Sequence, residues 1–523
     1  MSEPLPRPIR FFHQGRVHEV SGLPATTTVL QWLREQAHCT GTKEGCAEGD
    51  CGACTVVVGE LDTTTGTLRK NTVNACIQFL PTLDGRALYT VEDLPDMAGG
   101  TLHPCQQAMV DCHGSQCGFC TPGFVMSLWQ VYEDAHALPS PQELADALSG
   151  NLCRCTGYRP ILDAGQRMFD APRMAFDPTP ALQALRSLND TAATFIHEAP
   201  DAAHPDQTVH FIAPGTLDEL ARWRQALPQA RLLAGSTDVG LWVTKQLKSL
   251  GDILYLGRVA ELRAIRPWSA DPANAPAPSD CLDIGAGVSL EDAWKALVDK
   301  VPQLREIWLR FASPPVRHAG TLGGNIANGS PIGDAAPVLM ALGAELVLRQ
   351  GSRVRTVPLC SFYLDYMKNA LESGEFVQSL RVPLPRQGQH GADIVRAYKV
   401  SKRRDSDISA LCAGLMLHVD GGVITQARLA WGGMAATVRR ATHTEGAVLG
   451  QPWTEATLRR AQAALAQDFQ PLSDLRASSA YRLKVAANLL ERFWLETRPV
   501  QPLPPDQVQV WPAASSTCTG PTP

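Results

Sequence analysis

The stretch Gly45-Cys-Ala-Glu-Gly-Asp-Cys-Gly-Ala-Cys54 decides how the rest of the chain is interpreted. Cys46, Cys51 and Cys54 follow the spacing Cys-x4-Cys-x2-Cys, and twenty-one residues separate Cys54 from Cys76. This is the plant-type ferredoxin spacing for a two-iron, two-sulfur (2Fe-2S) cluster. Three thiolates on one short loop can surround a cluster only where the backbone turns tightly, and the glycines of this stretch permit such turns. The sequence therefore predicts a ferredoxin-type iron-sulfur domain.

Zinc and disulfides are the two other interpretations of these cysteines. Structural zinc usually takes two Cys-x2-4-Cys pairs, which a loop of three cysteines with a distant fourth matches poorly. Disulfides form in oxidising compartments, whereas the segment Met1 to Pro8 has neither an apolar signal region nor twin arginines. No stretch approaches 18 uninterrupted apolar residues. We expect a cytoplasmic protein whose 15 cysteines stay reduced, which favours metal ligation.

Length and charge limit the remaining possibilities. The 523 residues are too many for one core, and about 150 residues per domain suggests three or four domains. Basic and acidic residues nearly balance, 47 against 52, with a net charge of −5 and no run of like charge. This balance lacks the electrostatic footprint of a protein that binds nucleic acid or an anionic membrane.

The order of patterns along the chain predicts a multidomain α+β protein. Alternating strands around a short helix have the order of a β-grasp ferredoxin, and a helical period follows, with a capping box at Ser140 to Glu143. Next come a mixed α/β segment with a proline-rich insertion at 267–280, and then strands followed by helices. The predicted parts are a ferredoxin domain at 1–92, a helical 2Fe-2S domain at 93–172, a linker at 173–205, an α/β FAD-binding domain at 206–388, an α+β domain at 389–498 and a disordered tail at 499–523 that contains Cys518.

A second set of cysteines lies in the helical segment, within Gly114-Ser-Gln-Cys-Gly-Phe-Cys-Thr-Pro-Gly123 and Asn151-Leu-Cys-Arg-Cys-Thr-Gly157. The first pair precedes a helix that we expect Thr121 to cap, where the positive helix end stabilises thiolates. The second pair is spaced too tightly for most zinc sites, so a second cluster is favoured, with zinc left open. The candidate ligands are Cys117, Cys120, Cys153 and Cys155, with Cys105 and Cys112 as nearby competitors. The isolated Cys39, Cys281, Cys360 and Cys412 are predicted to be small buried side chains.

Two glycine-rich loops indicate a nucleotide cofactor. Leu232-Leu-Ala-Gly-Ser-Thr-Asp-Val-Gly240 is a strand, a loop of small residues and a helix start, an arrangement that can hold a pyrophosphate on backbone N–H groups. Such a loop often does no more than turn the chain. The second loop, Gly320 to Asp334, strengthens the hypothesis because its glycines permit close approach, while Asn325 and Asn328 offer hydrogen-bonding groups.

The combination of these motifs resembles the iron-sulfur half of the molybdenum hydroxylases, the xanthine dehydrogenase family. The motifs that carry the resemblance are Gly-Cys-Ala-Glu-Gly-Asp-Cys-Gly-Ala-Cys, Gln-Cys-Gly-Phe-Cys-Thr-Pro-Gly and Leu-Cys-Arg-Cys-Thr-Gly-Tyr. It covers roughly residues 8–498 and implies that all eight motif cysteines hold two 2Fe-2S clusters. It also implies that the helical cluster lies nearest a molybdenum cofactor and the ferredoxin cluster nearest FAD.

The two glycine-rich loops are similar to the FAD-binding segments of the same family. The resemblance implies that Asp334 contacts a cofactor hydroxyl, that Phe311 faces the isoalloxazine and that Lys399 lies near the flavin. Core packing is the alternative for Phe311, and a solvated charge for Lys399. The loop 402–407 resembles a mobile loop that tunes NAD access, or is a solvated turn. The residues implied to line the pyrophosphate and ribityl chain are Leu232, Leu233, Ala234, Gly235, Ser236, Thr237, Asp238, Val239, Thr321, Gly324, Asn325, Ala327 and Asn328.

The resemblance implies an electron-transfer subunit. Since no molybdopterin domain follows Glu496, we expect that domain on a large partner subunit, in a heterotetramer with two copies of each chain. Hypoxanthine or xanthine would be oxidised to urate there, and this chain would hold no catalytic residue for purine hydroxylation. Its electrons would pass through both clusters to FAD and then to NAD⁺. Three alternatives remain open: the same role for an aldehyde or another N-heterocycle, a stand-alone NADH-dependent flavin iron-sulfur reductase, and a zinc-stabilised interaction protein.

Overall fold

The computed structural model describes residues 4–188, 193–269, 280–388 and 391–508. Cys518 and residues 270–279 of the predicted insertion lie outside these ranges. Within them, every helix is too short or too polar to span a bilayer. The structure is multidomain α+β, as the sequence predicts.

The first domain is a five-stranded sheet that packs on one helix. The strand order is β2-β1-β5-β3-β4, with β5, the last strand of the domain, at the centre. Strand β5 pairs in parallel with β1 and antiparallel with β3. Thr28 and Gln31 form a capping box that starts the helix. This confirms the β-grasp prediction. The elements are β1 (Ile9–His13), β2 (Arg16–Val20), α1 (Val29–Glu35), β3 (Thr55–Leu61), β4 (Leu68–Asn74) and β5 (Ala87–Tyr89).

The second domain is the predicted helical bundle. Its longest helix buries Phe124, Leu128 and Trp129, and the capping box at Ser140 is present. The prediction that Thr121 caps the longest helix is wrong, because Thr121 is the first helical residue, Cys120 precedes it, and the Thr121 hydroxyl bonds Ser115 instead. The helices are α2 (Asp93–Met97), α3 (Pro104–Asp111), α4 (Thr121–Asp134), α5 (Pro141–Ala147) and α6 (Arg159–Arg167).

The predicted linker contains regular structure of its own. Helix α7 (Thr179–Leu188) packs on strands β1 and β3 of the first domain, and strand β6 (Phe195–Pro200) pairs with the next strand of the chain. The segment therefore wraps over the first domain and ends inside the sheet of the next one. Its short strand gave no clear pattern because a long-range partner stabilises it.

The predicted FAD-binding segment is built on two sheets with helices between them. The first has the order β6-β7-β9-β8, in which β9 pairs in parallel with both neighbours. The second has the order β10-β11-β16-β12-β13. The elements are β7 (Thr208–Ala213), α8 (Leu217–Ala226), β8 (Arg231–Leu233), α9 (Val239–Thr244), β9 (Ile253–Tyr255), β10 (Ile265–Trp268), β11 (Cys281–Gly285), α10 (Leu290–Lys300), α11 (Arg305–Leu309), α12 (Pro314–Ala319), α13 (Leu322–Asn328), α14 (Ala335–Leu342), β12 (Glu345–Gln350), β13 (Arg353–Pro358), β14 (Tyr363–Asp365), β15 (Lys368–Asn369) and β16 (Phe376–Pro383).

The last domain is an antiparallel sheet covered by helices, as predicted. Residues 499–508 of the expected tail pack back on its longest helix, because the Leu503 N–H donates to the Leu495 carbonyl and Arg492 contacts the Val508 carbonyl. The elements are β17 (Gln387–Gly388), β18 (Gly391–Val400), β19 (Leu411–Asp420), β20 (Val423–Gly432), β21 (Arg439–Arg440), α15 (Thr442–Val448), α16 (Glu455–Asp468), α17 (Ser479–Thr497) and α18 (Pro505–Val508).

Candidate cofactor sites

The first cysteine set comes together at the loop between α1 and β3. The Cys54 and Cys76 sulfurs lie 3.3 Å apart, and the Cys51 N–H donates to the Cys46 sulfur at 3.4 Å. Hydrogen bonds from Cys51 and Cys76 lower the pKa of Cys46, which favours its thiolate. Among the described residues, no three His, Cys, Asp or Glu side chains are grouped as one bound metal ion requires. The first set instead offers four thiols whose side chains contact one another, a donor set that fits a binuclear 2Fe-2S cluster.

The glycines of this loop keep the space around the sulfurs free. A Cβ on Gly45 would lie 2.8 Å from the Cys51 sulfur. Gly49 and Gly52 have φ values of +79° and +68°, which side-chain-bearing residues rarely adopt. The backbone can therefore wrap closely around a cluster.

The second cysteine set lies before α4 and before α6. The Cys155 and Cys117 sulfurs are 3.6 Å apart, and both residues are exposed. Burial would raise the pKa of Cys153, but bonds from the Thr156 hydroxyl and backbone N–H and from the Cys155 N–H lower it to about 7. The competitor Cys105 contacts the Met168 sulfur at 3.6 Å in the core instead. The donors fit a second cluster that opens to the protein surface.

The isolated cysteines follow the prediction with one exception. Cys39, Cys281 and Cys412 are buried, whereas Cys360 is exposed. Cys360 lies in the short turn after β13, where Leu359 and Phe362 are buried in the core and Cys360 is exposed.

The two glycine-rich loops pack directly on each other. A Cβ on Gly235 would lie 1.9 Å from the Ala319 carbonyl oxygen and 2.7 Å from the Gly320 Cα. The Thr321 hydroxyl accepts the Gly324 N–H at 3.1 Å and so starts α13. Both loops therefore present backbone to one cleft, as a nucleotide cofactor requires.

Side chains of the two loops also meet. Burial raises the pKa of Asp238, against hydrogen bonds from Trp242 and Asn328 that lower it. The two loops therefore share a partly buried carboxyl that can hydrogen-bond a ligand hydroxyl.

Asp334 and Lys399 form a buried ion pair beside this cleft. The Lys399 ammonium lies 2.7 Å from one Asp334 oxygen, and the Ser409 hydroxyl donates to the other at 2.5 Å. The Asp334 side chain is 8% exposed and the Lys399 side chain is 2% exposed. Lys399 is therefore not a solvated charge. The sequence gave no signal for Ser409, which is separated from Asp334 by 75 residues.

Several residues implied to contact the flavin have side chains in the core. Phe311 is buried against Trp294, with ring centroids 5.7 Å apart, and Leu233 belongs to the core beneath β8. Ala327 packs against the core beneath α13. These residues could touch a cofactor only through backbone or ring edges, and their assigned roles stay predictions.

The ferredoxin loop is bonded to the first glycine-rich loop. The Ser236 hydroxyl donates to the Ile77 carbonyl at 2.6 Å, and the Thr244 hydroxyl donates to the Ala47 carbonyl at 2.7 Å. Ile77 follows Cys76, and Ala47 follows Cys46. The first cysteine set therefore lies against the proposed flavin cleft.

The loop 402–407 also contacts both iron-sulfur domains. Arg403 pairs with Asp50 at 3.3 Å, and the Ser406 hydroxyl donates to the Ser149 carbonyl at 2.7 Å. Arg310 holds the start of the loop by donating to the Arg404 and Lys399 carbonyls. It is a bonded element between domains rather than a solvated turn.

Four protein-family models match consecutive parts of the chain. A "2Fe-2S iron-sulfur cluster binding domain" matches residues 11–80, and a "[2Fe-2S] binding domain" matches residues 90–166. The "FAD binding domain in molybdopterin dehydrogenase" matches residues 207–385, and the "CO dehydrogenase flavoprotein C-terminal domain" matches residues 396–497. The order of these families is that of the sites described above.

Curated proteins and solved structures are also similar to this chain. A xanthine dehydrogenase of Emericella nidulans is 31% identical over 93% of this chain and 38% of its own length. Aldehyde oxidase 4 of Cavia porcellus is 28% identical over 93% of this chain and 39% of its own length. A solved carbon monoxide dehydrogenase chain from Hydrogenophaga pseudoflava is 26% identical, covering 54% of this chain and 94% of that chain with a TM-score of 0.49. The chain thus spans about two fifths of the curated relatives it matches.

Proposed function

We propose that this chain, which belongs to the molybdenum hydroxylase family and matches its iron-sulfur and FAD portion, serves a xanthine dehydrogenase. Hypoxanthine or xanthine would be oxidised to urate by a molybdopterin-binding partner. When bound, the two clusters would carry single electrons, and FAD would collect two of them with a proton and pass a hydride to NAD⁺. The residues of this chain bind and orient these groups.

The sequence of contacts between the three sites carries this proposal. The helical cysteine set opens to the surface at Cys117 and Cys155, and the Leu152 N–H beside Cys153 donates to the Cys51 carbonyl of the ferredoxin set at 3.0 Å. The ferredoxin set in turn lies against the flavin loop through Ser236. Electrons could enter at the exposed site and leave at the flavin cleft without crossing a gap in the protein.

The two ends of this electron-transfer route suggest where the partner subunit and the electron acceptor would bind. We propose that the molybdopterin-binding partner docks over the exposed helical set, in a heterotetramer with two copies of each chain. NAD⁺ would reach the flavin beside the loop 402–407, whose three basic and two acidic residues set the local charge. The buried Lys399–Asp334 pair would be a neutral ion pair near the flavin, with the lysine N–H groups as hydrogen-bond donors. A cytoplasmic location stays a prediction.

Metal and flavin analysis of the native complex, isolated through this chain, tests the proposal. We expect roughly four irons and one FAD per chain, with molybdenum in a larger partner. Isolated alone, the chain should oxidise NADH with an artificial acceptor and leave xanthine unchanged. Xanthine oxidation by the isolated chain would contradict the assignment, and a colourless, zinc-containing preparation would support the zinc-stabilised interaction protein.

Oxidation of an aldehyde is the second candidate, favoured by the similarity to aldehyde oxidase 4. This chain's cofactor sites would serve either substrate equally. A substrate screen of the complex with hypoxanthine, xanthine, aldehydes and N-heterocycles separates the two. A complex without a molybdenum partner would instead indicate a stand-alone reductase.

A further inference from the structure

The segment Ser149–Leu152 touches every cofactor-binding part of the chain, and we name it the junction segment. Besides the Leu152 bond to Cys51, its Ser149 carbonyl accepts the Ser406 hydroxyl from the last domain. A Cβ on Gly150 would lie 2.9 Å from the Ser313 Cβ of the FAD-binding segment. The junction segment leads directly into Cys153 of the helical cysteine set.

Asn151 anchors the junction segment to the ferredoxin domain. Its side-chain nitrogen donates to the Gly52 carbonyl at 3.1 Å and to the Thr55 hydroxyl at 3.2 Å, and its oxygen accepts the Ser127 hydroxyl at 2.7 Å. The residue is 3% exposed. The side-chain nitrogen therefore makes two hydrogen bonds to the ferredoxin domain, and the side-chain oxygen makes one within the helical domain.

The two backbones meet with no side chain between them at this point. A Cβ on Gly52 would lie 2.2 Å from the Gly150 carbonyl oxygen, and a Cβ on Gly123 would lie 2.1 Å from the Gly52 carbonyl oxygen. The two domains also share an apolar core, in which Tyr89 packs on Trp129 with ring centroids 5.5 Å apart. At the glycine contact, directional hydrogen bonds define the local geometry, and Asn151 supplies two of them.

We propose that Asn151 is a positioning residue for electron transfer between the two clusters. Its bonds hold the junction segment so that the Leu152 N–H donates to the carbonyl of Cys51. This hydrogen bond links a ligand residue of one cluster to the residue that precedes Cys153, a ligand residue of the other. Each electron that crosses oxidises the helical cluster and reduces the ferredoxin cluster, and no proton moves. The inference rests on the proposed function, which supplies both clusters.

Electron paramagnetic resonance of the native complex, reduced with dithionite, tests this role. When both clusters are reduced their spins interact, and the splitting depends on the distance and orientation between them. In Asn151→Ala we expect unchanged iron content, an altered splitting and about tenfold slower electron transfer between the clusters in rapid-freeze experiments. A role in stability alone would leave the splitting unchanged in the folded complex.

Two further variants sharpen the test. Ser127→Ala removes one hydrogen bond to the Asn151 side chain and should change the splitting in the same direction by a smaller amount. If Asn151→Ala loses a cluster, Ser127→Ala becomes the variant that tests the positioning role. Gln462→Ala is the matched control. It removes a hydrogen bond from a side-chain amide to a backbone carbonyl, that of Ala487, between α16 and α17. It should leave the splitting as in the wild type.

The outcomes separate this inference from the proposed function. A wild-type complex with both clusters, in which Asn151→Ala and Ser127→Ala keep the wild-type splitting and rate, would overturn the role of Asn151 alone. A wild-type complex without iron would overturn the proposed function and this inference with it.

Discussion

Replacing Gly235 with alanine should weaken FAD binding. The added Cβ would lie 1.9 Å from the Ala319 carbonyl oxygen and 2.5 Å from the Ala319 carbonyl carbon. Because a carbon normally stays about 3.3 Å from a carbonyl oxygen, one of the two loops must move by more than about 1 Å. The atoms in the way are backbone, so no rotamer change can relieve the contact.

The magnitude follows from the cost of overpacking. Inserting a methyl group into a packed site costs about 1–3 kcal/mol, and more where backbone resists. If the displaced loop has to return to its place to hold the cofactor, this cost appears in the binding free energy and weakens FAD binding by about 5- to 150-fold. The iron content should not change, since the cysteine loops keep their own ligands.

Titration of flavin-free protein with FAD, followed by the quenching of flavin fluorescence, measures the effect. Gly446→Ala is the matched control, because an added Cβ there meets no atom within 4 Å and alanine favours helix α15. It should bind FAD like the wild type. Wild-type affinity in Gly235→Ala would refute the placement of the cofactor against these loops.

Three further changes test other parts of the structure. Asp334→Ala leaves the buried Lys399 ammonium without its carboxylate, at a local cost of about 3–5 kcal/mol, and should lower the FAD-to-protein ratio, so an unchanged ratio would count against the second loop. Burial lowers the pKa of His103 to about 4, so the folded chain keeps it neutral while the unfolded chain takes up a proton near pH 6.5, and stability falls as the pH drops through this window. His103→Asn keeps a helix cap without titrating, so melting temperatures between pH 7 and pH 4 should fall less than in the wild type, and an equal fall would contradict the assignment. Cys54→Ser should remove about two irons and one of the two resonance signals, whereas loss of all iron would mean that the two cysteine sets do not bind separately.

The sequence predicted the local parts of each site well because they depend on short-range constraints. Ligand spacing within 45–54, the capping box at Ser140 and the two glycine-rich loops are properties of neighbouring residues, and the structure has each of them. Cap placement at Thr121 failed because the helix already begins at Thr121, which puts Cys120 at the capping position. The strand β6 was missed because five or six residues carry little pattern without the partner strand β7.

Contacts between distant residues depended on the tertiary structure. The Asn151 bond to Gly52 spans 99 residues, and the bond from Lys399 to Asp334 spans 65. Neither partner carries a local signal, because an asparagine or a lysine in isolation is compatible with many surface positions. Only folding shows that these polar groups are buried and must find partners.

The sequence by itself thus determined the donor types, their spacing and the cofactors they suit, since thiolate geometry and backbone turns are set within a few residues. The family resemblance implied the order helical, ferredoxin and flavin, and tertiary structure brings the three sites into contact in that order. That order depends on how whole domains pack, through bonds such as Ser236 to Ile77, which no short stretch encodes.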